Sequence, residues 1–445
     1  MLRAIAFAFY VLNTRYQGQT VLTPRNTLVI AASVSNGGAA CLRAAEQDQE
    51  GLIHGVVAAE PAVQPRPDRS FVIVQGDGPP LVEHSRPLLD YITLVNLYQA
   101  CALLDPQLTR AAPPVVPQNP GLTSASPERC RVLHERGLLK ETTLAGQGAE
   151  AQRIINDYGI LSEQNPLEPF HHFAYVPQAI AVTYANAYGG FGVEDRLCGY
   201  SFAGIDWSGQ PAPLSEEVSA TLFAIGNGIP PTPPTPLGVA LINDEAPGGA
   251  TEDRASTPNQ NLDGALRLRR LATGRHEEAG TSLTPEEQRQ HEAILKGIAA
   301  VRATGTLQGK PAIIVHGRSD ALLPPNHTGR AYYGLNQVIE GETSSLRYYE
   351  VTNAHHFEAF NALPGFAERY VPLHHYVQQA LALMYNHLKH RMPLPPSQVV
   401  RTTPRGISAD GTAPPIGTAN LPPIAFDPVP MARITFASGE LHVPN

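Results

Sequence analysis

Hydrophobic positions change their period along this chain, and each change marks an element. Near the start, Leu2, Ile5, Phe9 and Leu12 recur at helical spacing, with Ala6 and Phe7 filling in, which predicts an amphipathic helix. NTLVIAASV (26–34) is then a nearly continuous apolar run of strand length, the pattern of a parallel strand covered on both faces. Ser35-Asn36-Gly37-Gly38 breaks it, AACLRAAEQDQ (39–49) is Ala-rich and helical, and LIHGVVAAEP (52–61) is a second buried strand stopped by proline. Helix, strand, sharp turn, helix, strand is the rhythm of an α/β fold with a mostly parallel sheet.

The rhythm lapses after residue 61 and resumes at the strand PAIIVHG (311–317), with a helix near 326–338, the strand SLRYYEVT (345–352) and the long helix LHHYVQQALALMYNHLKHRM (373–392). Residues 1–61 and 306–392 therefore read as two parts of one core, and 62–305 as a large inserted lid or cap domain. Within the insertion, 90–105 and 149–161 look helical, and TPEEQRQHEAILKGIAAVRAT (284–304) is the clearest helix of the chain. Thr284 and Glu287 form a capping box there, and Pro285 suits the first helical position. IPPTPPTPL (229–237) is too proline-rich for a regular element, and 243–261 is a polar, turn-rich loop. Residues 393–445 form a proline-rich tail ending in a hairpin-like RITFASGELHV (433–443), whose Ile434 and Phe436, with Ile424 and Phe426, look made to pack on the body.

Composition narrows the function. The 445 residues carry a net charge of −8 with no Lys/Arg cluster, which argues against nucleic acid or an anionic membrane surface and favours a small substrate. Cys41, Cys101, Cys130 and Cys198 have no metal-type spacing; their even number permits disulfides. No apolar run is long enough for a membrane span. MLRAIAFAFYVLNTRYQ imitates a signal peptide, but no A-x-A-like site follows, and a helix is expected instead.

Three stretches carry chemistry, in order. In SVSNGG, Ser35 follows a strand, with small Ser33 before it and Gly37 after it: the G-x-S-x-G nucleophile elbow with Ser in place of the first glycine. An ordinary turn serine is the bland alternative. A serine hydroxyl needs a base, and the base an orienting acid. VHGRSDALLPPNH (315–327) supplies Asp320 just beyond a late strand, with Glu60, at the end of the strand after the elbow, as rival acid. YYEVTNAHHFEAF (348–360) supplies His356 as base, with His355 as the alternative. A histidine pair also raises metal binding, but the spacing to other ligands does not support a metal site. The backbone N–H of Asn36 is the expected oxyanion donor.

Together SVSNGG, IVHGRSDALLPPNHTGRAYYG and EVTNAHHFEAFN, with VVRTTPRG in the tail, resemble the D-(−)-3-hydroxybutyrate oligomer hydrolase family and, more distantly, tannase and feruloyl esterase. The resemblance implies an α/β-hydrolase acting without cofactor as a secreted or periplasmic serine esterase that cuts 3-hydroxybutyrate oligomers to monomers, downstream of a poly(3-hydroxybutyrate) depolymerase. It puts the nucleophile on Ser35; Asp320 and His356 follow from strand order and loop pattern. Family members are longer, and several strands should precede the nucleophile strand and supply a second oxyanion donor. The chain is therefore expected to lack amino-terminal strands. An aromatic-ester esterase and an inactive binding fragment remain the alternatives.

Overall fold

The computed structural model describes residues 1–111, 120–206, 210–225, 239–245, 262–277, 282–409 and 411–445. In chain order its main elements are helix α1 (Leu2–Arg15), strand β1 (Ile30–Val34), helix α2 (Ser35–Gln47), β2 (Gly55–Ala59), β3 (Val72–Gln75), helix α3 (Leu88–Ala102), β4 (Tyr200–Gly204) and β5 (Val239–Asn243). There follow β6 (Ala312–Gly317), β7 (Leu346–Val351), β8 (Gln398–Val400), β9 (Thr435–Ala437) and β10 (Glu440–Val443). The chain divides into two compact units, Met1–Arg86 with Val301–Asn445, and Pro87–Ala300.

The first unit is built on a five-stranded sheet in the order β1-β2-β6-β7-β8, parallel throughout. Its sequence is apolar without alternation because both faces are covered. Val56, Ala58, Ile314 and Tyr348 enter one core cluster with Leu42, Ala45, Ala331 and Leu335. Val57, Ile313, Val315 and Tyr349 enter the other with Tyr376, Ala380 and Met384 of the helix His374–His390. β1 differs: it pairs with β2 alone among the described residues, and Ala32, Ser33 and Val34 are exposed.

Pairing explains why residues 62–86 and 301–305, expected in the insertion, belong to this unit. β3 pairs with β10 of the terminal hairpin, and Arg66 N–H donates to Ala303 O at 2.9 Å while Ala303 N–H donates to Gln64 O at 2.8 Å. The Glu46 carboxylate, buried at the end of α2, accepts N–H bonds from Thr304 and Gly305 and the Tyr332 hydroxyl, fixing the point where the chain re-enters the sheet. The tail from 393 begins by adding β8 to the sheet edge beside β7 and ends in the β9-β10 hairpin. α1 forms a helix with no buried residue, only Leu2 and Ile5 leaning on the core.

The second unit centres on α3, in which every residue but Asp90 is buried. A helix apolar all round needs neighbours on all sides, and α3 packs on Pro120–Glu135, Leu144–Asp157, Val176–Gly189 and Leu262–Thr273. Cys101 and Cys130 form a disulfide that ties α3 to the first of these; Cys41 and Cys198 are free thiols. The expected capping box is formed, with Thr284 N–H donating to Glu287 at 2.8 Å and Glu287 N–H to the Thr284 hydroxyl at 3.2 Å. The proline-rich 229–237 and most of the loop 243–261 lie outside the described residues. Among the described residues no helix is long and apolar enough to cross a membrane.

Candidate active site

Because β1, β2, β6 and β7 run parallel, the residues that follow them emerge at one edge of the sheet, the carboxyl edge where α/β sheets build their sites. Ser35, Glu60, Asp320 and His356 each follow one of these strands.

Ser35 directly follows β1 and begins α2, with φ at +56°, so the strand turns into the helix within one residue. A non-glycine residue in this region is strained, typically by about 1–3 kcal/mol, and such strain collects at functional turns. The small neighbours have a visible reason. A Cβ on Gly37 would run into the Ser33 side chain, and one on Gly38 would lie 3.0 Å from Ala59 O and 3.2 Å from Pro61. The turn is therefore tight against itself and against the end of β2. The Ser35 carbonyl also accepts the Ala62 N–H at 3.0 Å, joining the elbow to the loop that carries Glu60. Asn36 stands in the first turn of α2, where backbone N–H groups have no partner within the helix.

Asp320 and His356 meet because their loops touch. Gly317 closes β6 so near to Ala354 that a Cβ there would strike the Ala354 backbone, and Ser319 N–H donates to Ala354 O at 3.0 Å. Asp320 is fully buried; one carboxylate oxygen accepts the N–H groups of Leu322 and Leu323 at 3.0 and 2.8 Å. The other accepts the Nδ1–H of His356 at 3.0 Å. Burial alone raises a carboxyl pKa, but the charge of His356 and hydrogen bonds from His316 and His356 outweigh it, and Asp320 is held well below the usual range. With Nδ1 carrying its proton toward Asp320, the lone pair of His356 in its neutral form lies on Nε2.

His356 is pulled two ways: burial lowers its pKa, while the Asp320 and Glu60 carboxylates and the Asp320 hydrogen bond raise it, with a net rise. Glu60, the rival acid, lies 3.8 Å from the same Nδ1, too far for the orienting hydrogen bond that Asp320 makes. His355 goes elsewhere. It is buried against Phe366 and Tyr370, bonds Asn361 Oδ1 at 2.8 Å, and burial lowers its pKa to about 4, leaving it a neutral packing residue.

The structure thus brings Asp320, His356 and Glu60 into one cluster, directs His355 away, and sets Ser35 on the same sheet edge. Among the described residues no hydrogen bond joins the Ser35 hydroxyl to His356; catalytic contacts are often loose until substrate is bound. Glu60, Asp320 and His356 each offer one atom within 4.8 Å of the others and are, among the described residues, a set that could hold a metal ion. The directed N–H to carboxylate bond between His356 and Asp320 is instead the geometry that positions an imidazole as a base. His316 escaped the sequence reading: its Nε2–H donates to Leu323 O at 3.0 Å and lies 3.4 Å from Asp320 Oδ2. His316 lies inside β6, where a spacing of four residues gives no sign of contact with Asp320.

The family model described as 3HB-oligomer hydrolase matches residues 1–445. The protein named D-(-)-3-hydroxybutyrate oligomer hydrolase of Paracidovorax citrulli (strain AAC00-1) is 47% identical over 464 residues, covering 100% of this chain and 63% of the relative. The protein of that name in Polaromonas naphthalenivorans (strain CJ2) is 42% identical over 462 residues, covering 100% and 62%. The chain spans about three-fifths of the length of these curated relatives. Among solved structures, feruloyl esterase B from Aspergillus oryzae matches 85% of this chain and 62% of its own at 12% identity, with a TM-score of 0.28.

Proposed function

The chain belongs to the 3HB-oligomer hydrolase family, and we propose that it carries a serine carboxylesterase site of α/β-hydrolase type acting on D-3-hydroxybutyrate oligomers. The observation that carries this reading is the His356 Nδ1–H to Asp320 bond at 3.0 Å, on the same sheet edge as a serine strained at a strand-to-helix turn.

In this mechanism Asp320 fixes the tautomer of His356, whose Nε2 takes the proton of Ser35 as the hydroxyl oxygen attacks the ester carbonyl. The tetrahedral oxyanion is met by the Asn36 N–H at the positive end of α2. His356 returns the proton to the departing hydroxyl of the next unit, and water, deprotonated by the same nitrogen, releases 3-hydroxybutyrate from Ser35. The steps use only this chain's groups and water. The family resemblance and the Cys101–Cys130 disulfide also support an exported protein, since disulfides persist in oxidising compartments.

The test is hydrolysis of the 3-hydroxybutyrate dimer and of a feruloyl ester by this chain and by Ser35→Ala. The reading predicts dimer hydrolysis that Ser35→Ala removes. Hydrolysis of the feruloyl ester alone would move the substrate to aromatic esters, and a folded chain silent on both would make it a binding fragment.

A further inference from the structure

We infer that Glu60 is a second carboxyl partner of His356, a positioning residue that sets the pH at which the imidazole is free to act as a base. The inference rests on the proposed role of His356 as base.

Three features single out Glu60. Its backbone has φ of +35°, a conformation costly for a residue with a side chain, at the first position after β2. Like the strain at Ser35, it stands at the carboxyl edge, on the neighbouring strand. This turn brings Oε2 to 3.8 Å from His356 Nδ1, the same nitrogen that Asp320 holds at 3.0 Å. Oε2 is buried and has no hydrogen-bond partner among the described residues. A buried carboxyl oxygen without a donor is expensive to keep ionised, so it persists where its proton or its charge is used.

The two carboxyls are built for different work. Asp320 has two backbone N–H bonds and an imidazole, all of which favour its charged form. Glu60 is faced by His356, Asp320 and Glu358, and burial, opposed by His356 and aided by the two acids, raises its pKa. Asp320 is therefore the fixed charge and Glu60 the carboxyl that gains and loses a proton near neutrality. When Glu60 is ionised, two negative groups face one imidazole, which is then held protonated and is no base. When Glu60 carries its proton, His356 faces Asp320 alone and is released toward neutrality. The other titratable neighbours are His355, neutral and behind His356, and His316, beside Asp320.

A nearby negative charge favours imidazolium, so replacing Glu60 by a neutral amide of the same shape lowers the His356 midpoint. In the full chain with labelled histidine, the NMR titration of His356, identified by its loss in His356→Asn, is expected to fall by about one pH unit or more in Glu60→Gln. The acid limb of kcat/KM on the 3-hydroxybutyrate dimer falls with it. Glu60→Asp, which keeps the charge but withdraws it by one methylene, is expected to lie between, so a loss of folding in one variant leaves the other informative. A role confined to packing would lower stability in both variants and leave the midpoint in place, which overturns the inference. Hydrolysis intact with an unmoved midpoint removes Glu60 alone. A moved midpoint with no dimer hydrolysis by the native chain keeps Glu60 as a partner of His356 and removes the esterase reading.

Discussion

β6 and β1 are strands of one parallel sheet, yet they meet solvent differently. All six residues of β6 are buried, and it has a strand on each side. Among the described residues β1 has one neighbour, and its last three residues are exposed. The proposed acid follows the first and the proposed nucleophile the second. The proposed acid and base thus sit on loops that leave strands clamped by packing on both faces, whereas the elbow is kept in place by its own small residues, by β2 and by the Ala62 to Ser35 bond. Damage near β6 should therefore register as lost folding as well as lost activity, and damage at the end of β1 mainly as lost activity.

The largest effect is expected from Asp320→Asn beyond the end of β6, which lowers stability as well as reversing the preferred imidazole tautomer. Dimer hydrolysis should fall about 10⁴-fold, measured as kcat. A fall of only a few-fold would move the orienting role to Glu60. Next comes Glu350→Ala on β7, which exposes the dependence of the buried side on charge. Glu350 lies between Arg318 and Arg330, with contacts of 2.6–2.7 Å, and accepts the Tyr348 hydroxyl at 2.9 Å. Removing it takes the shared carboxylate from two buried guanidinium groups, at a cost of about 3–5 kcal/mol in denaturant unfolding. Burial would raise the pKa of Glu350, but the two arginines depress it. Its contribution is accordingly full above the unfolded carboxyl pKa of about 4.3 and is lost as pH falls below that. Acid unfolding of the native chain should show this, and the Glu350→Ala chain should lack that part of the dependence.

The comparison is sharpest in a matched pair. Ile314→Ala in the fully buried centre of β6 should cost about 2–5 kcal/mol, and Val34→Ala, 43% exposed at the end of β1, less than about 1 kcal/mol. Equal losses would show that the end of β1 is as firmly supported as the centre.

What the sequence disclosed follows the same division. β6, β7 and the helix His374–His390 were legible because burial on two faces writes continuous apolar runs and a 3.6-residue period. The Ala-rich pattern starts α2 at residue 39, but the helix begins at Ser35, since the elbow makes that serine itself the first helical residue. β3 and β8 carry no such pattern. VIVQ and QVV are short, lie beside prolines, and become strands only through partners far along the chain, β10 and β7. His356 was preferred over His355 on loop pattern, and the geometry separates them through aromatic packing around His355 that adjacent residues in a sequence do not reveal. The closeness of Glu60 to His356 depends on a backbone turn at positive φ, which a glutamate does not announce.

The most direct test of the account is covalent labelling of the folded chain with an alkyl fluorophosphonate, followed by intact mass and peptide mapping. An activated serine is predicted to give one adduct, on Ser35, absent in Ser35→Ala and formed far more slowly in His356→Asn. Dimer hydrolysis with the adduct on another serine, or with Ser35 unlabelled, would contradict it.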